Sequence, residues 1–262
     1  MAENLIFEIR NRVATITLDR PEKLNAFTDE MLDAWIHALE ECRASDAVNV
    51  IVITGTGRAF TTGGDVGRFG ASASNTAAAI KNRIAENIQR LPRLLDEIDK
   101  PVIAALNGFA TGGGLDVALM CDMRYAAESA RFAQTYARMG LIPGAGGAYY
   151  LPRLIGTARA LEMSWSCEFI DAREAERIGL VNKVFPDDQL MAKTYEFAER
   201  VAKGAPLAIR LTKRILYQGL DCDLKTALNL AASNMPVVRT SEDHQEAVAA
   251  FKAKREPQFK GR

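Results

Sequence analysis

The stretch Asn107-Gly108-Phe109-Ala110-Thr111-Gly112-Gly113-Gly114-Leu115-Asp116 decides the fold, because it turns a strand into a helix through three consecutive glycines. The apolar run Pro101–Leu106 before it predicts a strand that is buried on both faces. The segment Leu115–Met120 is too apolar for a surface helix and predicts a short central one. Glycine lets a ligand approach the backbone closely, and a helix N-terminus offers free N–H groups with a dipole that favours anionic oxygen.

Two further glycine-rich segments follow the same logic. Ala59-Phe60-Thr61-Thr62-Gly63-Gly64-Asp65 comes after the buried, β-branched run Val48–Ile53, and Gly140-Leu141-Ile142-Pro143-Gly144-Ala145-Gly146-Gly147 precedes another helical pattern. Two N–H groups that converge on a carbonyl oxygen would stabilise an enolate or another oxyanion, and one such donor is worth about 2.7–4 kcal/mol of barrier in other enzymes. Taken singly, each segment also fits a tight turn without any ligand.

The remaining pattern predicts strand–strand–helix units to about residue 185, followed by helices. Period-2 alternation predicts a hairpin over Leu5–Leu18 and strands at Met123–Ala126, Arg131–Gln134 and Leu180–Val184. Capping residues predict one helix that begins after Thr28 and another that begins after Asp171. Breakers predict a helical stretch to Ile98 that bends or restarts at Pro92, and helices over 187–254 with breaks near Gly204–Pro206 and Met235-Pro236. An ordinary doubly wound α/β domain would fit the composition equally well.

Composition excludes several classes of function. Lys+Arg and Asp+Glu are equal at 33 each, which disfavours a nucleic-acid-binding protein. The four cysteines are scattered and the two histidines lie in charged helical patterns, so we expect no metal site and no Ser-His-Asp triad. No dinucleotide or P-loop motif is present, and neither a signal segment nor a membrane-spanning run is visible. We therefore expect a cytoplasmic protein that is either an enzyme working with backbone donors and carboxylates or a protein without catalytic chemistry.

Together and in this order, the three glycine-rich segments resemble the enoyl-CoA hydratase/isomerase family, the crotonase superfamily. The resemblance runs from Arg20-Pro21-Glu22-Lys23-Leu24-Asn25-Ala26 to the segment Ser241–Arg255. It implies an α/β fold, a crotonase-like spiral of ββα repeats with a C-terminal helical region. It further implies a core with the acyl-CoA site over residues 1–195, a helical trimerisation region over 196–262, and assembly into a homo-trimer or a dimer of trimers.

The resemblance also implies which residues would form the site. The oxyanion donors would be the backbone N–H groups of Gly64 and Gly113. Coenzyme A would be the substrate's own carrier rather than a separate cofactor, and the residues expected to contact it are Lys23, Leu24, Ala26, Ala59, Thr62 and Asp65. Lys23 fits a phosphate contact or a solvated loop lysine, and Asp65 is expected mainly to fix its own turn through local hydrogen bonds.

The predicted acid/base positions are Asp116 and Tyr136. Hydratases of this family carry two glutamates that share one water, and this sequence has Asp116 at the first position and Tyr136 at the second. Asp116 could instead be a plain helix N-terminal acid, and Tyr136 could be an apolar wall. Some isomerase and dehalogenase branches carry a further aspartate, and that position is Gly144 here.

The sequence therefore predicts an acyl-CoA-processing enzyme, with enoyl-CoA hydratase as the first interpretation. The mechanism would be an enolate held by Gly64 and Gly113, with Asp116 carrying a proton. One alternative is an enoyl-CoA isomerase with a single Asp proton shuttle. A second is a non-catalytic homologue that binds acyl-CoA, and RNA binding is disfavoured by the neutral charge.

Overall fold

Two sheets carry the fold in a computed structural model, which describes residues 4–65, 67 and 76–262. The strands of that part of the chain are β1 (Leu5–Arg10), β2 (Val13–Leu18), β3 (Val50–Gly55), β4 (Ala59–Thr61), β5 (Val102–Leu106), β6 (Phe109–Thr111), β7 (Met123–Ala127), β8 (Arg131–Ala133), β9 (Ile170–Asp171) and β10 (Lys183–Phe185). The large sheet has the order β1-β2-β3-β5-β7-β10 and the small sheet the order β4-β6-β8-β9.

The helices lie between and after these strands. They are α1 (Asp29–Ala44), α2 (Ala77–Glu86), α3 (Arg90–Glu97), α4 (Gly113–Met120), α5 (Gly147–Ile155), α6 (Thr157–Ser166), α7 (Ala172–Arg177), α8 (Leu190–Ala202), α9 (Pro206–Leu220), α10 (Leu224–Arg239) and α11 (Glu242–Ala253), with 3-10 turns at Pro21–Lys23, Tyr136–Met139 and Asp187–Gln189. None of the described helices is long and apolar enough to span a bilayer.

A repeated strand pair explains how the chain builds both sheets at once. In each of the pairs β3–β4, β5–β6 and β7–β8, the first strand joins the large sheet and the second joins the small one. The strands of neighbouring pairs run parallel within each sheet. The predicted spiral of ββα repeats is therefore confirmed, and the turns that follow β4 and β6 lie next to each other.

Several local predictions are confirmed. β1 and β2 form the predicted antiparallel hairpin, with Leu5 opposite Leu18. The side chain of Thr28 accepts a hydrogen bond from the Met31 N–H at 3.3 Å, as an N-cap does. Asp171 caps α7 in the same way through the Glu174 N–H. The short central helix α4 is buried along almost its whole length, as its apolar sequence predicts.

Two helix breaks were predicted wrongly, both at prolines. The break before β5 lies between α2 and α3 rather than at Pro92, which is the third residue of α3. The first four N–H groups of a helix have no intrahelical partner, so a proline there removes nothing. Pro236 lies inside α10, whose limits are instead set by the capping side chains of Asp223 and of Ser241, the latter at the start of α11.

The last predicted strand is also shifted. It was expected at Leu180–Val184, and β10 begins only at Lys183. The N–H groups of Leu180 and Val181 donate to the Ala175 carbonyl at the end of α7, because Gly179 adopts a positive φ of 84° there.

The predicted division of the chain between residues 195 and 196 falls inside α8, a helix that packs against β3, β5 and β7.

The close approach of β4 to α4 gives a test of the fold. A Cβ at Gly114 would lie 1.9 Å from the Thr61 carbonyl oxygen, which is backbone and cannot rotate away. We expect Gly114→Ala to destabilise the protein by about 3 kcal/mol in urea unfolding. Gly219→Ala in α9, where a Cβ would meet nothing within 4 Å, is the matched control and should stabilise by about 0.5–1 kcal/mol. Equal stability of the two variants would contradict the predicted constraint.

Candidate active site

The site is built around two turns whose backbones touch. A Cβ at Gly63 would lie 3.0 Å from the Gly113 nitrogen, and one at Gly114 would lie 3.0 Å from the Gly63 nitrogen. Gly63 and Gly112 have φ values of +90° and +51°, which favour glycine. Gly64 and Gly113 are partly exposed, whereas Gly63 and Gly114 are buried. The structure therefore places the two predicted oxyanion donors side by side, and we call the accessible surface at Gly64 and Gly113 the opening.

Neither predicted donor is used by the rest of the described chain. Gly64 forms a bridge with Phe27, but the bonds of that bridge use the Gly63 carbonyl and the Asp65 N–H. Gly113 is the first residue of α4, so its N–H has no intrahelical acceptor. Within residues 4–65, 67 and 76–262, both N–H groups are therefore left to donate to a ligand oxygen.

Asn25 holds the predicted coenzyme A segment against these turns. This residue is fully buried and has a left-handed φ of 54°. Its amide donates to the Thr56, Ala59 and Phe60 carbonyls, and its side-chain oxygen accepts from the Arg20 N–H at 2.8 Å. The loop around Lys23 is thereby fixed to the end of β3 and the start of β4.

The predicted coenzyme A residues fall into an outer and an inner group. Lys23 is exposed and Leu24 and Thr62 are partly exposed, with the Thr62 N–H bonded to the Leu24 carbonyl at 3.2 Å. Ala26 and Ala59 are buried, and the Ala59 carbonyl accepts from the amides of Asn25 and Asn107. The inner pair supports the turn, and contact of any of these residues with coenzyme A stays a prediction.

Asp65 fixes its own turn, as its sequence context suggested. Its Oδ2 accepts from the Arg20 guanidinium at 2.8 Å, and its Oδ1 accepts from the Gly67 N–H at 3.0 Å. The guanidinium bond and the Gly67 bond hold the pKa of the Asp65 carboxyl below its ordinary value. The residue therefore stays charged and ties the Arg20 segment to the turn after β4.

Asp116 lies deeper than the sequence suggested. It is fully buried, and its Oδ1 accepts from the Gln134 Nε2 at 2.8 Å. Its Oδ2 accepts from the Tyr136 hydroxyl at 2.9 Å and from the Ala145 N–H at 3.3 Å. Burial raises the pKa of this carboxyl, and the bonds from Gln134 and Tyr136 oppose the rise.

Tyr136 lies between this carboxylate and the opening. It is partly exposed, and a Cβ at Gly113 would lie 3.4 Å from its hydroxyl oxygen. Burial and the neighbouring Asp116 both raise the pKa of the phenol, so it is neutral. The two predicted acid/base residues thus form one hydrogen-bonded pair next to the Gly113 turn.

Some residues of the site were missed from the sequence. Gln134 is buried and donates to Asp116, and its Oε1 has no partner among the described residues. Gly147 leaves room for Asp116, because a Cβ there would lie 2.0 Å from Oδ1. A signal existed only for the glycine, which belongs to the third quoted segment. The described part of the chain has no cluster of three His, Cys, Asp or Glu residues placed for a metal ion.

Known proteins that are similar to this chain in sequence and fold have related names. The model of the enoyl-CoA hydratase/isomerase family matches residues 8–262. The short-chain-enoyl-CoA hydratase of Clostridium acetobutylicum is 37% identical over 99% of this chain and 98% of its own. The 1,2-epoxyphenylacetyl-CoA isomerase of Escherichia coli is 33% identical over 100% of both chains. The crystal structure of an enoyl-CoA hydratase from Bacillus anthracis is 35% identical, covers 99% of this chain and 100% of its own, and superposes with a TM-score of 0.93.

The raised pKa of Asp116 predicts how stability depends on pH. Between the unfolded pKa, about 3.9, and the raised folded pKa, the folded state binds a proton that the unfolded state does not. The wild type therefore loses stability as the pH rises through that window. Asp116→Asn removes this cost, and a rotated Gln134 amide can accept from the new amide. We expect the variant to be more stable at about pH 8.

Urea unfolding at about pH 5 and about pH 8 measures this difference. The advantage of Asp116→Asn should be larger at the higher pH. Asp243→Asn is the control, because Asp243 is equally enclosed but accepts from the Lys260 and Gly261 N–H groups, which an amide nitrogen cannot replace. It should lose stability. A wild type that is more stable than Asp116→Asn at the higher pH would overturn the prediction.

Proposed function

The chain belongs to the enoyl-CoA hydratase/isomerase family, and from this we propose that it adds water across the double bond of a 2-enoyl-CoA thioester. The observation that carries the proposal is the pair of adjacent, partly exposed turns whose Gly64 and Gly113 N–H groups have no acceptor in the described chain. A thioester oxygen between them would gain negative charge as the enolate forms. Two preorganised donors stabilise that charge more than they stabilise the neutral thioester.

The hydration step also needs a base for the water. Asp116 and Tyr136 lie next to the Gly113 turn and are joined by a 2.9 Å hydrogen bond. Because burial raises the pKa of Asp116, its carboxylate is a stronger base than an exposed aspartate. We assign the handling of the water proton to this pair.

Coenzyme A is proposed as part of the substrate, with no further cofactor. Lys23, Leu24, Ala26, Ala59, Thr62 and Asp65 lie on the two segments that Asn25 and the Arg20–Asp65 ion pair hold together. The exposed ammonium of Lys23 suits a phosphate group. The thioester would then reach the Gly64 and Gly113 N–H groups from this side.

We further propose that the protein assembles as a trimer or a dimer of trimers in the cytoplasm. Neither α9 nor α10 buries a residue in the described chain, and both present leucines to the outside, at positions 216, 220, 224 and 228. Exposed leucines on two neighbouring helices favour burial against another copy. The four thiols are free, as is usual in a reducing compartment.

One specific observation favours isomerisation as the second candidate. The pair at the site contains one carboxylate, Asp116, and a single acid/base suits a proton transfer between the α and γ carbons through the same enolate. The similarity to 1,2-epoxyphenylacetyl-CoA isomerase shows that isomerases occur among the relatives. Hydration remains the first proposal because the similar short-chain enzyme is a hydratase.

Turnover of two thioesters separates these functions. We expect the purified protein to hydrate crotonyl-CoA to 3-hydroxybutyryl-CoA, followed by the loss of enoyl-thioester absorbance and by mass spectrometry. Conversion of a 3-enoyl-CoA to the 2-enoyl isomer without hydration would instead support the isomerase. Tight binding of both thioesters without turnover would support the non-catalytic homologue.

The Gly113 N–H can be removed with a matched control. Gly113 is the first residue of α4, a position where proline is tolerated, and Gly113→Pro deletes the donor. Gly113→Ala retains the donor and adds a methyl carbon at ordinary contact distance, 3.4 Å from Gly63 Cα and from the Tyr136 hydroxyl. We expect kcat of the proline variant to fall about 10²–10³-fold below that of the alanine variant. Equal kcat values would remove Gly113 from the oxyanion hole.

A further inference from the structure

The Asp116 carboxylate is not accessible from the opening. Its side chain is fully buried, and each of its oxygens already accepts a hydrogen bond from a neighbouring group. Oδ2 in addition accepts from the Ala145 N–H. Because none of its surface is accessible, a water could bind this carboxylate directly only if one of the covering groups moved away, and a buried donor left unpaired in this way costs about 1–3 kcal/mol.

Tyr136 is the member of the pair that reaches the opening. Its ring is partly exposed, and its hydroxyl oxygen lies 3.4 Å from the position of a Cβ at Gly113, the residue that carries an oxyanion donor. The hydroxyl proton points to Asp116 Oδ2 at 2.9 Å. The phenol oxygen therefore has lone pairs left to accept a hydrogen bond from a water on its open side.

We propose that Asp116 works only through Tyr136, so that the Tyr136 oxygen contacts the reacting water and passes its proton to Asp116. This inference rests on the hydratase function proposed above. It assigns Tyr136 as the catalytic residue of the pair and Asp116 as the proton store behind it. The two groups act in series, and neither alone completes the transfer.

The step balances in atoms and charge. The water oxygen bonds to the β-carbon, and the electrons of the double bond move to the thioester oxygen, which the Gly64 and Gly113 N–H groups hold as an enolate. One water proton moves to the Tyr136 oxygen as the Tyr136 proton moves to Asp116 Oδ2. In the second step the α-carbon takes a proton from Tyr136, which recovers one from Asp116, and both groups return to their starting state.

The surroundings fit this direction of transfer. The groups that donate hydrogen bonds to Asp116 in the described chain are the Gln134 amide, the Tyr136 hydroxyl and the Ala145 N–H, and all three stabilise its ionised, proton-accepting form. A proton that reaches Oδ2 can be donated back to the Tyr136 oxygen along the same 2.9 Å contact, while the Gln134 amide keeps its hydrogen bond to Oδ1. The pair can therefore hold its proton without a new buried unpaired group.

Three variants test the series arrangement. We expect Tyr136→Phe and Asp116→Asn each to lower kcat for crotonyl-CoA by at least about 100-fold with little change in KM. The double variant should be no slower than the slower single one, since the two groups form one pathway. Tyr195→Phe, which removes a hydroxyl bonded to Thr15 at 2.7 Å, is the matched control and should retain wild-type kcat.

A proton inventory gives a readout that a purely structural role would not change. With two protons in flight, kcat of the wild type should fall along a curved line as the fraction of D2O increases. The residual rate of Tyr136→Phe should follow a straight line. Retention of most activity by Tyr136→Phe, or multiplicative losses in the double variant, would overturn the relay. An inactive wild type would overturn the proposed function as well, so the two failures are distinguishable.

Discussion

The backbone contact between the turn after β4 and the start of α4 is the constraint on which the site depends. It exists because Gly114 has no side chain, since a Cβ would lie 1.9 Å from the Thr61 carbonyl oxygen. The parallel pairing of β4 with β6 brings the two turns to the same edge of the small sheet. The bonds between Phe27 and the Gly63–Asp65 turn then add the third segment. The positions of the two N–H groups are thus set by sheet register and by rigid backbone.

Asp116 shows how the site trades stability for chemistry. Burial of a carboxylate is unfavourable, and the hydrogen bonds from Gln134, Tyr136 and Ala145 offset only part of that cost, because the pKa remains raised. The same imbalance makes the group a better base. Gly147 keeps the space that the carboxylate occupies, since any side chain there would meet Oδ1. The enclosure that costs stability is therefore also what fixes the direction in which Asp116 can exchange a proton.

Much of this architecture could be predicted from local sequence, and the rest could not. The hairpin, the Thr28 cap, the central helix α4 and the ββα repeat follow from periodicity, capping and resemblance. The errors at Pro92 and Pro236 arose because a breaker was weighed without the caps that set the helix limits. Asn25 and Gln134 were missed because their roles depend on partners that the fold brings together, such as the Ala59 carbonyl and Asp116. The sequence placed Asp116 and Tyr136 in one site, but it did not show that Asp116 is buried behind Tyr136.

This arrangement explains why Asp116 and Tyr136 belong together at the two positions where the resemblance implies glutamates. The resemblance implies two glutamates at these positions in the family's hydratases, and two ionised carboxylates at direct hydrogen-bonding distance would repel each other. A phenol at position 136 removes one charge and supplies a donor, so the acid can bond to it directly at 2.9 Å. Aspartate is one methylene shorter than glutamate, and it withdraws into full burial while the longer tyrosine reaches the opening. In the proposed relay, the two residues together replace a pair that shares one water with a pair that acts in series.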